Sequence, residues 1–278
     1  MDSARGGYTI IEVFIVLAVS GVMLFSAMTL FGGKQRQAEF NQAMQDIDSK
    51  INTYVNDVGV SVFPAANDYE CLRNTSVDRP YLRAGSQVTG SNQDCIFLGK
   101  ALQISPGSNT VTVYSVLGNR TYDAGGGQRA PVTTFGQTRP EPTVDDSGSI
   151  IASLVESYKL AYNAGTLVKS WINSDPNLAA NQNYDMAGFY NSLQASAPAE
   201  QGSQSLLVKT YRAGGSAGVK PCIEEQGSCA AIFESPESWS LCFRNSSGND
   251  FAILAITATP AGVQTQLTFK PDPTICPG

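Results

Sequence analysis

The chain has 278 residues, with 18 Lys and Arg against 24 Asp and Glu, and a formal charge of -6 at pH 7. That balance leaves no basic field to gather phosphate and argues against a dedicated nucleic-acid binder. There is no histidine, which removes Ser-His-Asp and Cys-His catalysis, histidine general bases and every metal site that needs imidazole, so neither an enzyme nor a bound cofactor or metal is expected.

The first seven residues, Met-Asp-Ser-Ala-Arg-Gly-Gly, form a polar head. Tyr8 to Phe31 follow as an apolar run of 24 residues in which Glu12 alone is charged. As a helix this run is about 36 Å long at about 1.5 Å per residue, enough to cross a hydrocarbon core of about 30 Å. A secretory signal peptide fits poorly, because its apolar region is only about 7 to 15 residues and ends in a small-x-small cleavage site. An ordinary anchor, in turn, has no use for a carboxylate five residues into the run.

Arg5-Gly6-Gly7 followed by Tyr8-Thr9-Ile10-Ile11-Glu12-Val13 resembles the processing site of type IV prepilins and the related pseudopilins. In that family a basic leader ends in Gly, an aromatic residue opens the mature chain, and Glu is its fifth residue. Gly21 also matches a position where many pilins carry a helix-loosening glycine. The resemblance covers about the first 50 residues, and it implies cleavage after Gly7 by a prepilin peptidase and N-methylation of the new terminus at Tyr8. It further implies insertion in the inner membrane, and then assembly with copies of itself or other pilins by the pilus machinery. Many pilins carry proline eight residues beyond the glycine matched by Gly21, whereas this chain has Thr29. A kink or local melting would have to come from Gly21, Ser20 or the Gly32-Gly33 pair.

Glu12 admits two readings. It snorkels to the headgroups, helped by the positive helix N-terminus, or it pairs in a filament with the cationic amine that leader removal exposes on a neighbouring Tyr8. An unpaired charge in a dry bundle costs several kcal/mol, so such pairing would set the axial register of subunits. The fixed distance of the carboxylate from the cleavage site favours pairing.

Beyond Gly32-Gly33 the pattern becomes amphipathic. Phe40, Met44, Ile47, Ile51, Tyr54 or Val55, and Val58 recur in steps of three and four, so one continuous helix is expected over residues 8–58, with 8–31 in the membrane. Residues 59–278 form the exported head, with room for two lobes. Within it, residues 59–109 lack periodicity and read as a loop region tethered by Cys71 and Cys95. Thr110 to Leu117 alternate as a strand, and Gly118-Asn119 offer a turn. Residues 123–148, with Gly125 to Gly127 and three prolines, read as an extended loop or a linker between lobes. The stretch from Ile150 to Ile172 fits either a helix or a hairpin, with strands preferred. Trp239 to Phe269 read as a three-stranded antiparallel meander with turns near 246–250 and 260–262.

The six cysteines, Cys71, Cys95, Cys222, Cys229, Cys242 and Cys276, all follow the apolar run, and no pair is spaced Cys-x-x-Cys. An even set in a polar exported domain suits disulfides. Proximity suggests Cys71 with Cys95 and Cys222 with Cys229, which leaves Cys242 for Cys276. The acidic pairs Asp145-Asp146 and Glu224-Glu225 sit in turn-like sequence, where solvated charges are the common case.

The expected fold is therefore α+β, a long N-terminal helix packed by its amphipathic half on a disulfide-stabilised antiparallel sheet. The expected function is that of a structural subunit of a type IV pilus or related filament on the cell surface, serving adhesion or motility. The mature chain is larger than the small pilins that build a shaft, which points to a minor or decorated subunit. The alternatives are a pseudopilin of a type II secretion system and a membrane-anchored binding module that never polymerises.

Overall fold

A computed structural model describes residues 9–60, 63, 68–86, 94–104, 110–159, 169–173, 186–191, 206–211, 218–226, 229, 233–234, 238–244, 251–259 and 262–269. The architecture is α+β, an N-terminal helix and antiparallel sheets, with Cys71 bonded to Cys95 and Cys222 to Cys229. By contacts the chain divides into two compact units, residues 1–42 and residues 43–278.

Helix α1, Ile10–Gly59, belongs to both units. Its first part, Ile10–Met28, is apolar and exposed, and it is the one helix among the described residues long and apolar enough to span a membrane. In its second part Met44, Ile47, Ile51, Tyr54, Val55 and Val58 are buried, so the stripe spaced by three and four is the face that leaves water.

The head has two main sheets. The larger runs in the order β12 (Phe233–Glu234), β11 (Leu206–Tyr211), β10 (Met186–Asn191), β3 (Cys95–Ile104), β4 (Thr110–Asn119), β7 (Glu141–Pro142), and β8 (Glu156–Lys159) also pairs with β4. The smaller runs β15 (Gly262–Phe269), β14 (Phe251–Thr259), β13 (Ser238–Arg244), β9 (Lys169–Asn173). Every pairing is antiparallel. The C-terminal meander is present, extended by β9 on the β13 side.

Residues of α1 from Asn52 onward touch both sheets. Asn52 Nδ2 donates to Thr265 Oγ1 of β15 at 2.8 Å, and Tyr54 Oη donates to Glu156 of β8 at 3.2 Å. Lys100 of β3 is buried, with Nζ 3.0 Å from Asp57 and 3.1 Å from Glu156, and it stands 4.5 Å from the centre of the Tyr54 ring. A buried ammonium is tolerated only when paired, so one lysine ties α1, β3 and β8 together.

Four readings of the sequence are corrected. Residues 59–109 are not merely a tethered loop, since they hold the hairpin β1 (Tyr69–Asn74) and β2 (Arg79–Ala84) and the ten-residue β3. β3 hides its period because both faces are covered, as in Leu98, Lys100, Ala101 and Leu102, and because its register shifts between Phe97 and Gly99; buried strands read as continuous runs and bulges break alternation. Gly118-Asn119 is no turn, for these residues pair with Ile96 and Cys95, and buried Asn119 donates Nδ2 to the Asp78 carbonyl at 2.7 Å. Residues 123–148 are not a linker. They contain the rest of the hairpin β5 (Thr121–Asp123) and β6 (Arg129–Pro131), a 3-10 turn at Gly136–Thr138, and β7 on β4, with Phe135, Thr138, Glu141, Thr143 and Val144 buried. The local turn signals are real, but Pro142 sits in a two-residue strand where proline is tolerated. Lastly, the described ends of the 150–172 segment are strands, as preferred, but they pair elsewhere and not with each other, β8 with β4 and β9 with β13, in different sheets.

Gly99 makes the bulge possible. A Cβ there would lie 1.9 Å from the carbonyl oxygen of Phe189 on β10, so the neighbouring strand leaves room for hydrogen alone.

Candidate functional site

The apolar helix begins with a reciprocal cap. The Glu12 backbone N–H donates to Thr9 Oγ1 at 3.3 Å, and the Thr9 backbone N–H reaches Glu12 Oε2 at 3.5 Å. Thr9 stands at the cap position and Glu12 three residues on, the spacing of a capping box. Threonine and glutamate were read in the sequence only as parts of a processing motif, although the Thr-x-x-Glu signature before an apolar run was legible. The cap gives the Thr9 N–H a partner, adds a second acceptor to the Glu12 N–H, which also donates to the Thr9 carbonyl at 3.0 Å, and holds the carboxylate against the positive helix end.

Beyond the cap, Ile10, Ile11, Phe14, Leu17, Val22, Met23, Phe25 and Met28 are all more than 60% exposed. That is an apolar surface far larger than soluble monomers present, and it calls for lipid or protein around it. α1 continues without interruption through Ser20, Gly21 and Gly32-Gly33, and a Cβ at Gly21 would meet nothing within 4 Å. Gly7, Tyr8 and Cys276 lie outside the described residues. Cys242 is disulfide-bonded.

In the head, the acidic pairs of the sequence are separated in role. Asp145 closes its own turn by accepting from the Ser147 hydroxyl at 2.6 Å and the Ser149 N–H at 2.9 Å, which hold its carboxyl below the usual range. Glu225 pairs with Lys209, a fully buried lysine whose ammonium lies 4.1 Å from the centre of the Phe135 ring. Among the described residues no cluster of His, Cys, Asp and Glu is arranged to hold a metal ion.

A cleft of about 610 Å³ opens between the β1–β2 hairpin, the Asp145–Gly148 turn and the short helix α2 (Val219–Ile223), lined among others by Arg79, Tyr81, Arg139, Glu141, Lys220 and Glu224. On its floor Glu141 is buried, with Arg79 Nη1 at 3.0 Å and Lys220 Nζ at 2.9 Å. Burial, the first cause, with the adjoining Glu224 carboxylate, pushes the Glu141 carboxyl up to about 7 against the opposing pull of Lys220. Nothing in the sequence announced this group, because its partners come from positions 79, 220 and 224. No family model matches the chain, and neither do any curated proteins or solved structures.

Proposed function

We propose that the chain is a type IV pilin-like subunit, cleaved after Gly7, methylated at Tyr8, held in the membrane by α1 and then packed through that helix into an extracellular filament. The observation that carries the reading is an exposed apolar helix whose first turn holds one carboxylate, Glu12, directly after a leader-like Arg5-Gly6-Gly7. Ile10–Met28 is sheathed by lipid in the precursor and by neighbouring helices in the filament. The disulfides Cys71–Cys95 and Cys222–Cys229, with Cys242 also bonded, suit a head that works in an oxidising space. The head acts as a structural or binding surface, not as a catalyst.

Intact-mass and N-terminal analysis of protein from the native host tests this. The expected chain begins at methylated Tyr8 and is recovered in sheared cell-surface filaments. A mature start between residues 28 and 34 would refute the reading, since ordinary signal peptidase would then have removed the helix. Correct processing with recovery only in short periplasmic assemblies would assign the chain to the pseudopilins, and recovery only as membrane-bound monomer would make it an anchored binding module.

A further inference from the structure

Two hollows of the head share Arg139. The cleft of about 610 Å³ has this residue on its wall with Tyr81 and Asp146, and a second hollow of about 370 Å³ is lined by it together with Tyr122, Asp123 and Gln137. Both volumes lie in the range of about 300 to 1,000 Å³ that holds small ligands. Asp78 also lines the second hollow, while its chain neighbours Val77 and Arg79 line the first. Asp78 and Arg139 each have a φ of 52°, a left-handed backbone that is uncommon outside glycine and persists where surrounding contacts fix it. Arg79 supplies such contacts beside Arg139, since its Nη1 donates to the Pro140 carbonyl at 2.7 Å and to Glu141 Oε2 at 3.0 Å. The Arg139 N–H in turn donates to the Gly136 carbonyl at 3.3 Å.

On the floor the charges neutralise one another. Lys220 Nζ lies 2.9 Å from Glu141 Oε1 and 3.5 Å from Glu224 Oε1, opposite Arg79. Asp78 is held by Arg73 at 2.9 Å and Arg129 at 3.3 Å, and Asp145 by its own turn. What faces the space is different in kind. Among the described residues the side chains of Tyr81, Tyr122, Arg139 and Asp146 form no hydrogen bond or ion pair. The two tyrosines are half-buried, and Arg139 and Asp146 are exposed. The Gln137 amide accepts from Thr133 and Thr134 through its oxygen, which leaves its NH2 group to donate elsewhere.

From this arrangement we propose that the two hollows form a binding groove for a neutral oligosaccharide, with one sugar ring in each hollow and Arg139 between them. Every sugar hydroxyl both donates and accepts, so a guanidinium fork, an amide and a carboxylate match pairs of neighbouring hydroxyls. A tyrosine offers an apolar ring to the C–H face of a sugar and a polar hydroxyl at its edge. An anionic ligand is disfavoured, because the lining carries six carboxylates against three cations. A basic peptide fits no better, since Asp78, Glu141 and Glu224 are already engaged by cations and Asp145 by its turn. The groove belongs to the folded head alone. Its failure would leave the filament reading untouched, and failure of that reading would leave the groove.

The test titrates the full-length chain, in micelles of a detergent without sugar headgroups, with lactose, maltose, cellobiose and diacetylchitobiose as neutral probes. Sialyllactose is the anionic probe and trilysine the basic peptide. Binding is read from the ring signals of 13C-labelled tyrosine. At least one neutral disaccharide should shift the Tyr81 and Tyr122 signals saturably, and Arg139→Ala should weaken that binding by about tenfold or more, as expected for loss of a charged hydrogen-bond donor. The Arg139 side chain is exposed and holds no partner among the described residues, so the variant keeps the fold, and the wild-type titration needs no variant. No saturable shift with any neutral probe up to about 10 mM, equal affinity in Arg139→Ala, or tighter binding of sialyllactose or trilysine than of every neutral probe would overturn the groove.

Discussion

Glu12→Gln separates a carboxylate that caps a helix from one that also sets a filament register. Within a single chain the substitution is mild: glutamine fills the same capping role, the existing contact is long at 3.5 Å, and the helix-end charge interaction amounts to about 0.3 to 1 kcal/mol. Membrane insertion should be equal or easier, because a carboxylate costs about 2.5 to 3.5 kcal/mol at the middle of a span and a smaller amount of the same sign in the first turn, where Glu12 sits. In a filament the balance reverses. On the proposed pairing, loss of Glu12 leaves the neighbouring Tyr8 amine buried and unpaired, a loss of about 3 to 5 kcal/mol per contact, or roughly a hundredfold to several-thousandfold in incorporation. The assay co-expresses tagged Glu12→Gln with wild type in the native host and measures the tagged fraction in membranes and in sheared filaments. Thr9→Ala is the control, since it breaks the cap at a cost of about 0.5 to 2 kcal/mol and leaves the charge in place. Normal cleavage, normal membrane level and a depleted filament fraction are expected for Glu12→Gln, with Thr9→Ala much less depleted. Equal incorporation of Glu12→Gln and wild type would remove the carboxylate from the assembly mechanism.

Gly99→Ala should destabilise the head by about 3 kcal/mol or prevent its folding, because the new methyl lands on the Phe189 carbonyl and overpacking of a closed site costs about that much; urea unfolding measures it, and a loss under about 1 kcal/mol would contradict the close approach. The Cys71–Cys95 bond, closing a separation of 24, should contribute about 3.5 kcal/mol, and Cys222–Cys229, closing 7, about 2.5 kcal/mol on the loop-entropy model. Double serine variants compared in denaturant check that order. Lys100→Met should cost less than about 2 kcal/mol, because Asp57 and Glu156 are 41% and 49% exposed and water can take the place of the ammonium. The double change Asp57→Ala with Glu156→Ala strands a buried ammonium and should cost about 3 to 5 kcal/mol, so an equal loss in the two variants would show that Lys100 is not held by these carboxylates.

The strand signals in the sequence held where one face of an element is wet. Thr110 to Tyr114 alternate between half-buried and buried, and Gln264, Gln266 and Thr268 on β15 are exposed between half-buried Val263, Thr265, Leu267 and Phe269, whereas Leu241 to Phe243 on β13 and Ala252 to Leu254 on β14 are buried in succession. β3 was illegible for the opposite reason. It is covered on both faces and bulged at Gly99, so neither periodicity nor turn residues mark it. The 123–148 segment misled because its glycines and prolines report only local backbone geometry, whereas Phe135 and Glu141 are placed by the sheet they reach.

What the chain order determined unaided is whatever depends on neighbours within a few residues. The apolar run with its one carboxylate, the Thr9–Glu12 cap, and the amphipathic stripe from Met44 to Val58 are all set by helical spacing, which sequence distance alone defines. What only the tertiary structure decided is whatever joins distant positions. Asp57, Lys100 and Glu156 meet across α1, β3 and β8, and Arg79, Glu141, Lys220 and Glu224 meet across β2, β7 and α2. Such groups are invisible in order of residues because the folded head, by excluding water, supplies both their proximity and the desolvation that makes their pairing matter.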